Sequence, residues 1–361
     1  MSWTEQYSAL DRAIHRMAFA HTGIQMAVAD IEEVAFRAQL KDLPCKAPVF
    51  ITSLPRAGAT LMLEILSNVP EFATHTYRQM PFLLSPMFWD AISRPFRKSG
   101  NRMERAQGDG MEIGFDSAEA FEEVIWRTWW PEKYLDGSID IWRRTDDMPD
   151  FAEFMQSHMR KIVALARQNK RSSASRYLSK NNANIARIDK LIDLFPDCTI
   201  IVPVRDPVDQ VLSLHRQHMR FLKAHGEDEF AEQYMRDIGH LEFGGNLQPI
   251  AFPGFGADAE RAQSQQFWLE YWIAGYRGLL GNANPHLHFV SYEELCTNPP
   301  AVIGTLLDRL GVSDQIDVSE LAAGVSKRTR TQTLDDVNSA TLHEAVSVYD
   351  AVVEAVHARA A

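Results

Sequence analysis

Two short stretches carry the residues of this chain best suited to hold an anion. Ser53 to Leu61 reads SLPRAGATL, after the apolar run VFIT and before MLEIL, so small polar residues separate a strand-like from a helix-like segment. A tight loop entering a helix aims several backbone N–H groups at one point, where the helix dipole also favours negative charge. Gly58 permits left-handed backbone, and Ala57 and Ala59 are small enough for close approach of a ligand. Thr60 adds a hydroxyl, and Arg56 adds a permanent charge on a planar fork suited to phosphate or sulfate. The loop is not a Walker A motif, because Ala59 stands where the phosphate-binding lysine would precede Thr60. That points to a donor other than ATP–Mg.

The second stretch, VPVRDPVDQVLSLHRQH, repeats the geometry. Arg205 stands at the carboxyl end of a strand, Asp206 can cap the next helix, and Pro207 suits its first position. Val208, Val211, Leu212, His215 and Met219 form the expected buried stripe. Ser213 lies off that stripe, where it can share an anion with Arg205. Taken singly, the first stretch also fits an ordinary strand–helix turn and the second a surface salt bridge.

The elements that must position these residues are legible as alternating patterns. PVFIT (48–52), RYLSK (176–180), TIIVPV (199–204) and LHFVS (287–291) read as strands, and helical patterns follow at 60–69, 183–195, 207–222 and 300–311. Such alternation predicts an α/β fold with a parallel sheet covered on both faces, whose ligands bind beyond the carboxyl ends of the strands. Residues 5–40 read as helix, with Leu10, Ile14, Met17, Ile24, Val28 and Ile31 as an apolar stripe for the core or a second subunit, and Gly23 as a point of division. Residues 223–260 read as a long mobile excursion without a period. Residues 260–281 and 340–358 show helical spacing again.

Bulk properties bound the function. Lys and Arg total 37 against 48 for Asp and Glu, a formal net charge of -11, which argues against general nucleic-acid binding but allows a local basic pocket. The three cysteines, Cys45, Cys198 and Cys296, are widely spaced and odd in number, as expected of buried thiols in a reducing compartment. No run of about 18 apolar residues could span a bilayer, and MSWTEQYSALDRAIHRM lacks a signal-peptide layout. The expectation is a cytoplasmic protein. His286 and His288 share one strand face, where packing is preferred over metal because no ligand cluster accompanies them.

Together the two motifs resemble the sulfotransferase family. SLPRAGAT is similar to its phosphosulfate loop G-x-P-R-S-G-T-T, and RDPVDQVLS to its 3′-phosphate motif, in which Arg and Ser lie eight residues apart. SKNNANIARIDKLIDLFPDCTIIVPVRDP resembles, in spacing, the Lys-led helix and LFP turn of protein-tyrosine and related bacterial sulfotransferases. VSYEELCTNPPAVIGTLLDRLGV resembles the family's closing segment. The resemblance covers roughly residues 48–80 and 176–335. It departs at Ser53, in place of the first Gly, and at Ala59, in place of the first of two Thr, which removes a hydroxyl from the loop.

The resemblance implies a P-loop NTPase-like three-layer sandwich in one domain. Residues 1–44 would be an N-terminal helical segment, 48–335 the core and 336–361 a C-terminal helix. It implies 3′-phosphoadenosine-5′-phosphosulfate (PAPS) as donor, no metal, and a small-molecule, carbohydrate or peptide acceptor. A homo-oligomer could form through the N-terminal helices. Arg56 with residues 57–60 would take the phosphosulfate, and Arg205 and Ser213 the 3′-phosphate. Tyr292 would lie beside the nucleotide, and the basic run Ser326, Lys327 to Arg330 would close over it. Lys180 would steady the bridging oxygen. A His or Glu shortly after the loop serves as base in the family, which nominates His75, one residue short of the expected spacing. Glu119, Glu122 and Glu123 are the alternatives, which an acidic helix face also explains. Trp126, Trp129 and Trp130 fit either a wall for stacking an acceptor or the core. A P-loop small-molecule kinase and a non-catalytic nucleotide-binding module are the rival functions.

Overall fold

The apolar runs become strands buried on both faces. The computed structural model describes residues 9–94, 103–104, 112–113, 117–168, 173–281, 284–312, 316–325 and 333–358. Strands β1 (Val49–Ile51), β2 (Phe72–Ala73), β5 (Arg176–Lys180), β6 (Thr199–Val204) and β7 (Leu287–Ser291) form one parallel sheet in the order β2-β5-β1-β6-β7. β3 (Met103–Glu104) and β4 (Glu112–Ile113) pair separately as an antiparallel ribbon. β1 sits in the middle, with Ile51 level with Lys180 on one side and Ile201 on the other. The carboxyl ends of the three central strands therefore lie side by side.

Around the sheet run α1 (Ala9–Phe19), α2 (Thr22–Leu40), α3 (Ala59–Ser67), α4 (Pro86–Ser93), α5 (Glu122–Trp129), α6 (Phe151–Gln168) and α7 (Ile188–Leu194). The chain continues with α8 (Pro207–Glu227), α9 (Glu229–Asp237), α10 (Gln265–Leu280), α11 (Tyr292–Thr297), α12 (Pro299–Arg309), α13 (Val318–Ala322) and α14 (Ser339–Ala358). Strand alternation sorts the side chains onto two faces. Phe50, Tyr177, Ile200, Val202 and Phe289 join a core built with α5, α6, α7, α10 and α14. Val49, Ile51, Leu178, Ile201 and Val290 join a second core with α3 and α12. Helices on both faces of a parallel sheet make the expected three-layer α/β sandwich.

Three expectations change. The chain breaks between α1 and α2 at Ala20–His21, before Gly23. The apolar stripe of these helices points outward: Leu10, Met17, Ile24 and Ile31 are 68%, 67%, 62% and 62% exposed. The inward face mixes apolar residues such as Ala18, Ala29, Met26 and Leu40 with polar ones. His15 pairs with Asp237 at 3.0 Å, and buried Glu32 and half-buried Glu33 meet the buried Lys161 ammonium of α6 at 3.2 Å each. Residues 223–260 are no loose excursion, since α8 runs on to Glu227, α9 follows, and Gly244 N–H donates to His218 Nδ1 at 3.2 Å. The buried stripe of α8 includes Val211 and Leu212 as expected but runs on through Gln210, Leu214, Gln217 and Phe221, while Met219 is exposed. Among the described residues no helix is long and apolar enough to cross a membrane.

Candidate active site

The loop after β1 is built around two left-handed residues. Arg56 has φ +70° and Gly58 has φ +100°, the latter as N-cap of α3 without a side-chain cap. The first N–H groups of a helix have no intrahelical partner, so the amides at the start of α3 remain as donors for a ligand. Only glycine fits at position 58. A Cβ there would lie 2.5 Å from Cδ2 of the Tyr292 ring. Tyr292 opens α11 at the end of β7, and the Arg205 guanidinium lies over its ring at 4.9 Å.

The second motif closes on the first. Arg56 Nε donates to Ser213 Oγ at 3.0 Å, and Arg205 Nη1 donates to the Arg56 carbonyl at 3.2 Å. The residues nominated for the two anions thus touch each other. Arg205 Nη2 is also 3.5 Å from Asp209, and its buried Nε has no hydrogen-bond partner among the described residues. Asp206 caps α8 by accepting from Val208 and Asp209 N–H, as its place before Pro207 suggested. Motif reading missed Gln210. Its buried amide donates to the carbonyls of Leu54 and Pro55 at 3.2 and 2.9 Å, and accepts from Trp272 Nε1 at 2.9 Å and Tyr276 Oη at 3.3 Å. A glutamine within a buried helical stripe was the available signal.

Lys180 ends β5 beside the loop and is 6% exposed. The chain then turns through Asn181 and Asn182. Asn182 Nδ2 donates to Glu242 Oε1 at 3.0 Å, and Glu242 Oε2 lies 3.2 Å from His240 Nδ1. Burial would raise the Glu242 pKa, but His240, the Lys180 charge and the Asn182 amide outweigh it and hold the carboxyl at about 2. Sequence reasoning missed His240 and Glu242, whose signal is a His-x-Glu pair between Gly239 and Gly244.

His75 lies elsewhere than a base should. It is 1% exposed, with Nε2 2.8 Å from His158 Nε2 and Nδ1 3.3 Å from Tyr177 Oη. Tyr177 Oη in turn donates to Glu122 at 2.9 Å, so donors run from His158 to His75 to Tyr177 to Glu122 and occupy both His75 nitrogens. The residue nominated as base by its place after the loop is therefore an interior group, and burial pushes its pKa down to about 4. The three glutamates are committed as well. Glu119 accepts from Tyr77 Oη and Ala120 N–H, and Glu122 from Trp126 Nε1 and Asn184. Glu123 pairs with buried Arg187 at 2.8 Å and accepts from Asn181 and Tyr134. Trp126 and Trp130 are core residues, and Trp129 packs on Phe151 and Phe154, so they form no exposed wall. Ser326, Lys327 and Arg330 lie outside the described residues. Among the described residues, no group of His, Cys, Asp or Glu could hold a metal ion.

The structure is a parallel α/β sheet whose central strands end in two mutually bonded motifs. The sequence matches the model of the sulfotransferase family over residues 48–243, which is 196 of 361 positions, and the chain belongs to that family. Among solved structures it is similar to sulfotransferase STF1 from Mycobacterium tuberculosis, at 13% identity over 91% of this chain and 81% of that one, with a TM-score of 0.44. STF9 from Mycobacterium avium gives 13% identity, the same coverages and a TM-score of 0.46. A sulfotransferase from Alicyclobacillus acidocaldarius gives 12%, 88% and 96% coverage, and 0.39. No curated protein matches the chain.

The buried imidazoles set a pH response. Burial, then the neighbouring His75, pushes His158 well below its usual range as well. A folded-state pKa below the unfolded value of about 6.5 gives stability that is complete above that pH and lost on acidification toward about 4. Thermal melts should show the melting temperature falling steadily as pH drops from about 6.5 to 4. His75→Gln combined with His158→Gln should flatten that slope.

Proposed function

We propose that the chain transfers a sulfuryl group from PAPS to a hydroxyl or amine of an acceptor and releases 3′,5′-ADP. The observation that carries this is the contact between the two motifs, Arg56 to Ser213 and Arg205 to Arg56. PAPS has two anionic ends separated by a ribose, and the chain offers two adjoining cationic sites. Arg56 with the amides of Ala57, Gly58, Ala59 and Thr60 takes the 5′-phosphosulfate. Arg205 and Ser213 take the 3′-phosphate, for which the unpartnered Arg205 Nε is a spare buried donor. Tyr292 flanks the nucleotide.

The donor is already activated, so catalysis is chiefly positioning and charge stabilisation. The acceptor oxygen or nitrogen attacks sulfur in line, the bond to the bridging oxygen breaks, and its electron pair leaves on the 5′-phosphate. Lys180 at the end of β5 neutralises the charge that grows there. A kinase would need a lysine where Ala59 stands. Accordingly, 3′,5′-ADP without metal should raise the melting temperature by about 5 °C at a hundredfold excess over Kd. A shift with ATP–Mg and none with 3′,5′-ADP would replace this function by a kinase.

Arg205 binds a phosphate that does not react, so it serves ground state and transition state alike. Arg205→Ala should raise the PAPS KM at least tenfold with kcat nearly kept. Lys180→Ala should do the reverse, and initial rates over a PAPS concentration series separate the two.

The outward stripe of α1 and α2 supports a homodimer. Leu10 and Met17 lie seven residues apart on α1, and Ile24 and Ile31 seven apart on α2, so each helix carries exposed apolar side chains on one face for a second copy to cover. Light scattering should give twice the monomer mass, and Met17→Glu with Ile24→Glu should halve it. A monomeric wild type would sink this assembly.

A further inference from the structure

We propose that His240 is the general base for the acceptor and that Glu242 is the residue that positions it. This rests on the sulfotransfer function above. A base needs a nitrogen or oxygen that is not already committed and that lies by the reacting groups. His75, Glu119, Glu122 and Glu123 fail the first condition, because each spends its polar atoms on partners in the interior. His240 meets it. Its side chain is 18% exposed, and its ring has one polar partner among the described residues, Glu242 through Nδ1. A carboxylate can only accept, so Nδ1 carries a proton, and in the neutral ring Nε2 holds the lone pair.

Location satisfies the second condition. Lys180, Asn181 and Asn182 are consecutive at the end of β5, and Asn182 holds the same carboxylate that orients His240. The charge of Lys180 acts on Glu242 directly. The segment carrying the pair is held rigidly against the strand ends. Gly239 has φ +82°, and a Cβ there would come within 2.9 Å of Glu123, whose carboxylate also accepts from Asn181 at 2.7 Å. On the far side Gly244 and Gly245 donate to His218 and His225 of α8. Base and orienting carboxylate share one short segment, which the Asn182 amide ties to the end of the strand that carries Lys180.

The step balances simply. As the acceptor oxygen bonds to sulfur, its proton passes to His240 Nε2. The sulfur–oxygen bond to the nucleotide breaks, and its electron pair goes to the 5′-phosphate beside Lys180. The imidazolium is stabilised by the Glu242 carboxylate until the proton returns to solvent.

The test follows 3′,5′-ADP release from PAPS with 2-naphthol or with water as acceptor, alongside calorimetric binding of 3′,5′-ADP. His240→Ala should lose about 10²–10⁴-fold in kcat, keep the nucleotide Kd, and recover rate with added imidazole in proportion to its concentration. Glu242→Gln should lower kcat and leave KM for PAPS unchanged, with partial recovery in Glu242→Asp. If His240→Ala misfolds, His240→Gln supplies the same comparison. A His240 variant as active as wild type, or no rescue by imidazole, overturns the assignment. So does a wild type that binds PAPS yet transfers to neither acceptor. A wild type that binds neither PAPS nor 3′,5′-ADP overturns instead the function on which the assignment rests.

Discussion

The site hangs on one buried amide. Gln210 uses both of its N–H bonds on the carbonyls of Leu54 and Pro55, and both lone pairs on Trp272 and Tyr276. Those carbonyls belong to the loop that must turn left-handed at Arg56 and Gly58. The Leu54 carbonyl also accepts from Ser53 Oγ, but a Pro55 carbonyl left without its partner would cost on the order of 1–3 kcal/mol, enough to let a strained loop relax. A fully satisfied amide removes that choice. It also sets the distance between the loop and α8, and so lets Arg205 and Ser213 reach Arg56.

Charge is arranged against the bulk of the molecule. A chain of net charge -11 concentrates Arg56, Lys180 and Arg205 at the ends of three adjacent strands. Carboxylates nearby are each assigned to a cation or a donor, as Asp209 is to Arg205 and Glu293 to the Asp206 and Tyr349 donors. Local positive potential therefore survives within an acidic protein, which favours small anions over extended polyanions.

Much of this was legible in the chain because the relevant signals are local. Four apolar runs bounded by turn residues became four of the five parallel strands, and a small-residue loop and an Arg-Asp-Pro turn marked two of their ends. β2 escaped because two residues carry no period. His75 misled for a physical reason: sequence distance placed it near the loop, but His158 and Tyr177, 83 and 102 residues further along the chain, draw the ring into the interior. The N-terminal stripe was correctly periodic and faced the other way, since Lys161 and Asp237 supply the polar residues of the inner face with partners that no local pattern reveals. Gln210 and Glu242 depend likewise on contacts across 156 and 60 residues, and only folding makes those partners neighbours.

Tyr292 presses on Gly58 from the far end of β7, with β6 between the two strands. The stretch that matches the family ends at residue 243, yet Trp272, Tyr276 and Tyr292 all lie beyond it. A fragment cut at that boundary would keep every charged residue of both motifs and lose the aromatic surfaces against which they are shaped. The catalytic unit is therefore longer than its recognisable signature, and any hybrid enzyme spliced at the signature's edge would inherit the charges without their geometry.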